Sequence, residues 1–155
     1  MNSSAEQRLK SSGIELPPAP KPLGAYVEAA QVGNLLFVSG ALPLHGGVPQ
    51  FIGRLGAELS IEQGRSAARL AALNALALVR QHLGSLDQVQ RVAQLTVTLA
   101  TTPDFQEHPK VADGASELFA EVFGADRVPT RTVSGVTSLP KGVCAIVEII
   151  LATLP

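Results

Sequence analysis

The segment SIEQGRSAARLAALNALALVRQHLG, Ser60 to Gly84, leaves the chain little choice of local structure. Ser60 and Gln63 stand at capping-box spacing, the interior is rich in alanine and leucine, and Gly84 is a natural stop, so the segment predicts one long helix. Leu70, Leu73, Leu76 and Val79 recur at helical spacing, which requires one stripe to lie on another layer, with alanines on the flanks allowing close packing. The following sequence says what that layer is. In QVQRVAQLTVTLA, Leu95, Val97 and Leu99 alternate with Gln94, Thr96 and Thr98, the period-two pattern of a strand with one apolar and one polar face.

The same reasoning orders the rest. HPKVADGASELFAEVFG predicts a second helix with Val111, Leu118, Phe119, Val122 and Phe123 as its apolar side and Gly124 as its stop. AYVEAAQVGNLLFVSGALPL predicts a hairpin around Gly33-Asn34, and the dense apolar run Leu35 to Val38 points to burial on both faces. HGGVPQFIGRLGAEL is glycine-rich and predicts a loop with at most a short edge strand. VPTRTVSGVTSLPKGVCAIVEIILA closes the chain with two strands joined at Leu-Pro-Lys-Gly, each carrying one conspicuous charge, Arg131 and Glu148. Ahead of all this, residues 1–22 predict a short helix capped by Ser3 or Ser4 and a rigid proline-rich arm. Residues 23–155 then form one domain of α+β class, a mixed β-sheet with two helices on one face. The other sheet face alternates Thr and Ser with Val, and a half-polar face of this kind is expected to pack against another subunit.

Composition narrows the function classes. A chain of 155 residues, 46% hydrophobic, is long enough to bury a real core as a single domain. Its formal net charge is -1, with no run of like charge, which argues against a nucleic-acid partner. The lone Cys144 has no second cysteine for a disulfide or a cysteine-based zinc cluster, so a reducing cytoplasm is the expected compartment. The N-terminus is polar and of mixed charge, and no apolar run approaches membrane-spanning length, so no membrane is expected.

Taken together, PLGAYVEAAQVGNLLFVSGALPL, EQGRSAARLAALNAL, LGSLDQVQRVAQLTVTLATTPDFQEHPKVADGASELFAEVFG and the closing RTVSGVTSLPKGV with VEI resemble the YjgF/Rid family, also labelled endoribonuclease L-PSP or translation initiation inhibitor. The resemblance runs from about Leu23 to Leu151, and KVADGASELFAEVFG is similar to the branch described as YjgF/chorismate-mutase-like endoribonucleases. It implies a chorismate-mutase-like fold assembled as a homotrimer, with ligand clefts between subunits and no cofactor. In the deaminase branch these clefts hydrolyse reactive enamines and imines of amino acids to 2-oxo acids and ammonia.

The resemblance assigns site residues one at a time. Arg131, in PTRTV, falls where the family has the arginine that grips a substrate carboxylate, and a guanidinium offers a planar fork for that purpose; otherwise it is an interfacial ion-pair arginine. Tyr26, in GAYV, matches a cleft tyrosine, or is a half-buried aromatic at the first strand. Ser39 and Gly40, in VSGALP, match a segment where the backbone approaches the ligand, or form a bulge or turn that needs glycine. Counting from Leu139-Pro140, the deaminase branch's catalytic glutamate position is Ile146, and the second glutamate of that strand falls on Glu148. Val133 replaces a cysteine common in that branch. Glu148 is therefore a displaced acid-base residue, returned to the working position by a bulge, or an interface acid paired with a cation. His45, His82 and His108 read as surface residues, Cys144 as a buried structural thiol, Glu117 and Glu121 as a solvated helix face, and Asp113 as a residue of the helix start ahead of an acid placed near the cleft with Gly114. Three function readings follow: a Rid-like protein that binds small carboxylates of 2-oxo acid or imine type and hydrolyses reactive imines, a non-catalytic metabolite binder or regulator, and, least supported by charge and 4% aromatic content, an endoribonuclease.

Overall fold

The computed structural model describes residues 3–155, so residues 1 and 2 of the expected N-terminal arm lie outside the described residues. In chain order the elements are α1 (Ala5–Ser11), β1 (Ala29–Val32), β2 (Leu35–Ala41), a small ribbon of β3 (Leu44–His45) and β4 (Val48–Pro49), α2 (Ile61–Leu83), β5 (Val89–Ala100), α3 (His108–Phe123), β6 (Thr130–Val136) and β7 (Ala145–Thr153). The main sheet has the order β1-β2-β7-β5-β6. β5 and β6 run parallel, joined through α3, while the other neighbours are antiparallel. The last two strands, consecutive in sequence, are thus not paired: β5 lies between them. The expected α+β architecture is what forms, a mixed sheet with its helices on one face.

Local signals account for most element ends. Ser60 and Gln63 complete a reciprocal capping box at the start of α2, and Gly84 ends it in the left-handed conformation at φ 84°. Gly33, at φ 61°, closes the β1–β2 hairpin, in which Val32 pairs with Leu35. The stripe that α2 buries differs from the expected leucine line. Ala67, Ala68, Ala71, Ala72, Ala75, Leu76 and Val79 are buried, whereas Leu70 and Leu73 are only partly so. The reason is that α2 meets two partners, the sheet and α3, and alanine faces let both approach closely.

Glu117 and Glu121 are exposed, as expected of a solvated helix face, but the α2–α3 contact gives each of them an arginine partner. Arg65 Nη2 lies 2.7 Å from Glu117 and Arg69 Nη1 3.1 Å from Glu121, so two arginines four residues apart on α2 match two glutamates four apart on α3. Helix α1 packs against this body as well: Leu9 enters the main core, and Glu6 pairs with Arg80 at 2.6 Å and accepts from the Leu86 N–H. The hydrogen bond from Arg80 holds the Glu6 carboxyl below the usual carboxylate range.

Leu36, Val38, Leu95, Val97, Leu99, Val147, Ile149 and Leu151 face the helices and form the core. Leu35 and Phe37 point the other way and remain 38% and 41% exposed. The expected two-sided burial of Leu35 to Val38 therefore holds on one side only within a single chain, because every helix lies on the same face.

Candidate functional site

Arg131 sits on β6, the edge strand, opposite Leu95 of β5. Since Leu95 faces the helices, so does Arg131, and its guanidinium reaches α3. Nη1 donates to Asp113 Oδ1 at 2.6 Å and to Ser116 Oγ at 3.1 Å. Those two acceptors use both hydrogens of Nη1. Nε and Nη2, the two parallel donors of the guanidinium's side-on edge, make no hydrogen bond among the described residues. A planar two-oxygen anion fits such an edge by two charge-assisted hydrogen bonds. Asp113 thus belongs to the second turn of α3, facing the sheet, and not to the helix start, where Glu107 is the cap position.

Tyr26, Ser39 and Gly40 are gathered at the opposite side of the sheet, around the start of the domain. All three line a small crevice with Pro20, Pro22 and Leu42, walled by the proline-rich segment. The Tyr26 hydroxyl accepts from the Leu23 N–H at 3.0 Å, which leaves its own hydrogen available. Ser39 Oγ donates to the Val27 carbonyl at 2.6 Å. Ser39 and Gly40 form a bulge: Val38 pairs with Ile149 and Ala41 with Val147, so β2 advances three residues while β7 advances two. A Cβ on Gly40 would lie 2.9 Å from Ile146 Cγ2 and 3.7 Å from Glu148 Cγ, so this glycine is required for close approach to β7.

Ile146 and Glu148 share the open face of β7. Ile146 packs with Leu42, Leu44, Leu139 and Val143 in a second small apolar cluster, which explains an aliphatic residue at that position. Glu148 is exposed, has no ion-pair partner among the described residues, and lines a groove of about 350 Å³ with Phe37, Ser39, Gln94, Thr96 and Ile150. β7 pairs without interruption from Ala145 to Ile149, so no bulge carries Glu148 toward the position of Ile146; the bulge is in β2. Nor does Glu148 serve Arg131 as counter-charge within the chain, a place taken by Asp113.

The chain therefore brings Tyr26, Ser39 and Gly40 together, and Ser39 with Glu148, but leaves Arg131 apart. Arg131 lies on the helix face and Glu148, opposite Thr96, on the open face. β6 and β2 are three strand spacings apart, roughly 14 Å at the usual separation. Asp113 and Ser116 escaped sequence reasoning as partners of Arg131; their i, i+3 spacing puts them on one helix face but does not say what that face meets. Among the other candidates, His45 and His82 are exposed, while His108 is half-buried, edge-on to Phe105 and against Gly135. The Cys144 thiol is fully buried and pushed up to about 11 by desolvation, which makes it a packing residue and a poor nucleophile. Among the described residues there is no group of three or more metal-ligating side chains, and no helix long and apolar enough to cross a membrane.

A five-stranded mixed sheet layered on one face by α2 and α3, with a half-polar second face left uncovered within the chain, is the architecture of the chorismate-mutase-like class of α+β domains. Residues 6–152 match the family described as YjgF/chorismate mutase-like, putative endoribonuclease, and the chain belongs to this YjgF/Rid family. Protein TCP17 of Trypanosoma cruzi is 39% identical over 90% of this chain and 88% of its own. The crystal structure of a putative endoribonuclease from Shewanella oneidensis superposes with a TM-score of 0.92 at 33% identity, covering 97% of this chain and 99% of that one. At 27% identity, over 89% of this chain and 93% of the relative, the chain is also similar to 2-iminobutanoate/2-iminopropanoate deaminase of Dermatophagoides farinae.

Proposed function

We propose that this protein binds small 2-oxo or 2-imino carboxylates in a cleft between copies of the chain, arranged as a homotrimer, and hydrolyses the imines. The observation that carries this reading is the free Nε–Nη2 edge of Arg131 on an exposed sheet edge. One chain keeps that edge away from the crevice of Tyr26, Ser39 and Gly40 and from the Glu148 groove. A ligand touching both sets needs β6 of one copy beside the open sheet face of the next, where Leu35 and Phe37 supply apolar surface to cover.

In that arrangement Arg131 holds the carboxylate and the imine carbon lies over the groove. Water adds to the C=N carbon as Glu148 takes one of its protons and returns it to the nitrogen, giving a carbinolamine; Glu148 then takes the hydroxyl proton and passes it to the amine, so that the C–N bond breaks, ammonia leaves and a C=O bond replaces C=N. Glu148 is the one carboxylate lining the groove among the described residues. The second reading, a non-catalytic binder, is favoured by Ile146, whose packing with Leu42 and Val143 puts an apolar side chain where the deaminase branch has its glutamate.

Ammonia release from freshly generated 2-iminobutanoate, measured on protein sized by light scattering, separates the readings. The wild type is expected to run as a trimer and accelerate release, and Glu148→Gln to lower the rate by about 10²–10⁴-fold, the range for losing a general acid-base group. Release no faster than without protein, with binding intact, selects the non-catalytic reading. A monomer by light scattering removes the cleft itself.

A further inference from the structure

Arg131 is not a free cation. Asp113 Oδ1 is 2.6 Å from its Nη1, and the surrounding charges are paired too: Arg65 with Glu117, and Lys110 with Glu107 at 3.1 Å. The guanidinium that would receive a ligand is therefore a neutralised pair with one unoccupied edge. A ligand bringing a single negative charge completes the fork beside Asp113. A ligand bringing two meets the Asp113 carboxylate, while Arg65 and Lys110 are already held by glutamates of α3 and its cap.

We infer that Asp113 sets the charge selectivity of the Arg131 edge, admitting monoanionic carboxylates and repelling dianions such as phosphate esters, while Ser116 fixes the guanidinium's orientation. Both are positioning residues that act through Arg131. The inference rests on the reading of Arg131 as the carboxylate clamp. α3 is built for this placement: Gly114, beside Asp113, lets α3 approach so closely that a methyl there would overlap the Arg65 carbonyl oxygen. Asp113 and Ser116, three residues apart on α3, then face one nitrogen of Arg131.

Titrations of 2-oxobutanoate and of inorganic phosphate, at constant ionic strength and at a mildly alkaline pH where phosphate is dianionic, test this. Asp113→Asn keeps the acceptor oxygen and removes only the charge. It is expected to shift the ratio of phosphate to 2-oxobutanoate affinity toward phosphate by about tenfold, the size of a few-ångström charge contact in a partly solvated setting. Ser116→Ala is expected to weaken both ligands alike and leave the ratio unchanged. Asp113→Ser, also uncharged, repeats the measurement should Asp113→Asn melt early, and Asp113→Glu should retain the wild-type ratio. A ratio unchanged in both uncharged variants overturns the inference, as does an equal shift in Ser116→Ala. Wild-type protein that fails to bind 2-oxobutanoate, or binds it undiminished in Arg131→Ala, overturns the underlying reading of the clamp instead.

Discussion

Arg131→Ala is expected to abolish measurable binding of small 2-oxo acids while leaving the fold intact. Truncating a desolvated, hydrogen-bonded charge partner at an interface costs about 2–5 kcal/mol, or roughly 30- to 4,000-fold in affinity. Stability should change little, because Asp113, the group left behind, is half-exposed and regains water, and half-exposed pairs contribute about 0–1 kcal/mol. Arg131→Lys should restore little, since an ammonium cannot present the parallel Nε–Nη2 donors and would be drawn onto Asp113 as a point charge. Calorimetric titration with 2-oxobutanoate, paired with thermal melts, reads both quantities. Unchanged titrations in both variants would remove Arg131 from the site.

The second large effect is expected from Gly114→Ala. Helix propensity alone predicts a gain of about 1 kcal/mol for glycine to alanine inside a helix. Packing predicts the reverse, because the added methyl would meet the backbone carbonyl of Arg65, together with its carbonyl carbon and Cα, and a backbone cannot rotate aside as a side chain can. Relief requires moving α3 away from α2, which loosens the Arg65–Glu117 and Arg69–Glu121 pairs and withdraws Asp113 from Arg131. The net cost is placed at about 1–3 kcal/mol, the range for an overpacked core, which lowers the melting temperature by about 2–12 °C in a domain of this size. 2-Oxobutanoate affinity should fall with it. A melting temperature equal to or above wild type would show that the helix spacing is not set by this glycine.

Sequence reading placed these features unequally. It found α2, α3 and β5 because their signals are local: a capping box at Ser60, stops at Gly84 and Gly124, and a strict alternation through Leu95, Val97 and Leu99. For Ser39-Gly40 it left a bulge, a turn or a ligand approach open, and the structure shows the bulge. It did not identify the alanine face of α2, since periodicity ranks residues by hydrophobicity while the burial there is decided by how near two layers can come. Nor did it pair Glu6 with Arg80, 74 residues away, or Arg65 with Glu117, 52 away, because the spacing of charges on each helix says nothing of which helix will lie alongside.

The closing strands show the division most clearly. From the residues alone, VPTRTVSGV and CAIVEIILA are two strands with a charge apiece, and Ile146 stands two positions before Glu148 on the same side. Which side that is, and whether Arg131 shares it, depends on β5 entering between them, parallel to β6 and antiparallel to β7. β6 alternates Arg131, Val133 and Gly135 with Thr130, Thr132 and Ser134, so neither of its faces is apolar enough to declare itself. Only the register against Leu95 turns Arg131 toward α3, where it meets Asp113 and Ser116, and leaves Glu148 on the far face of the sheet. Side-chain period is a property of one strand, whereas the face it buries is a property of the layer that covers it.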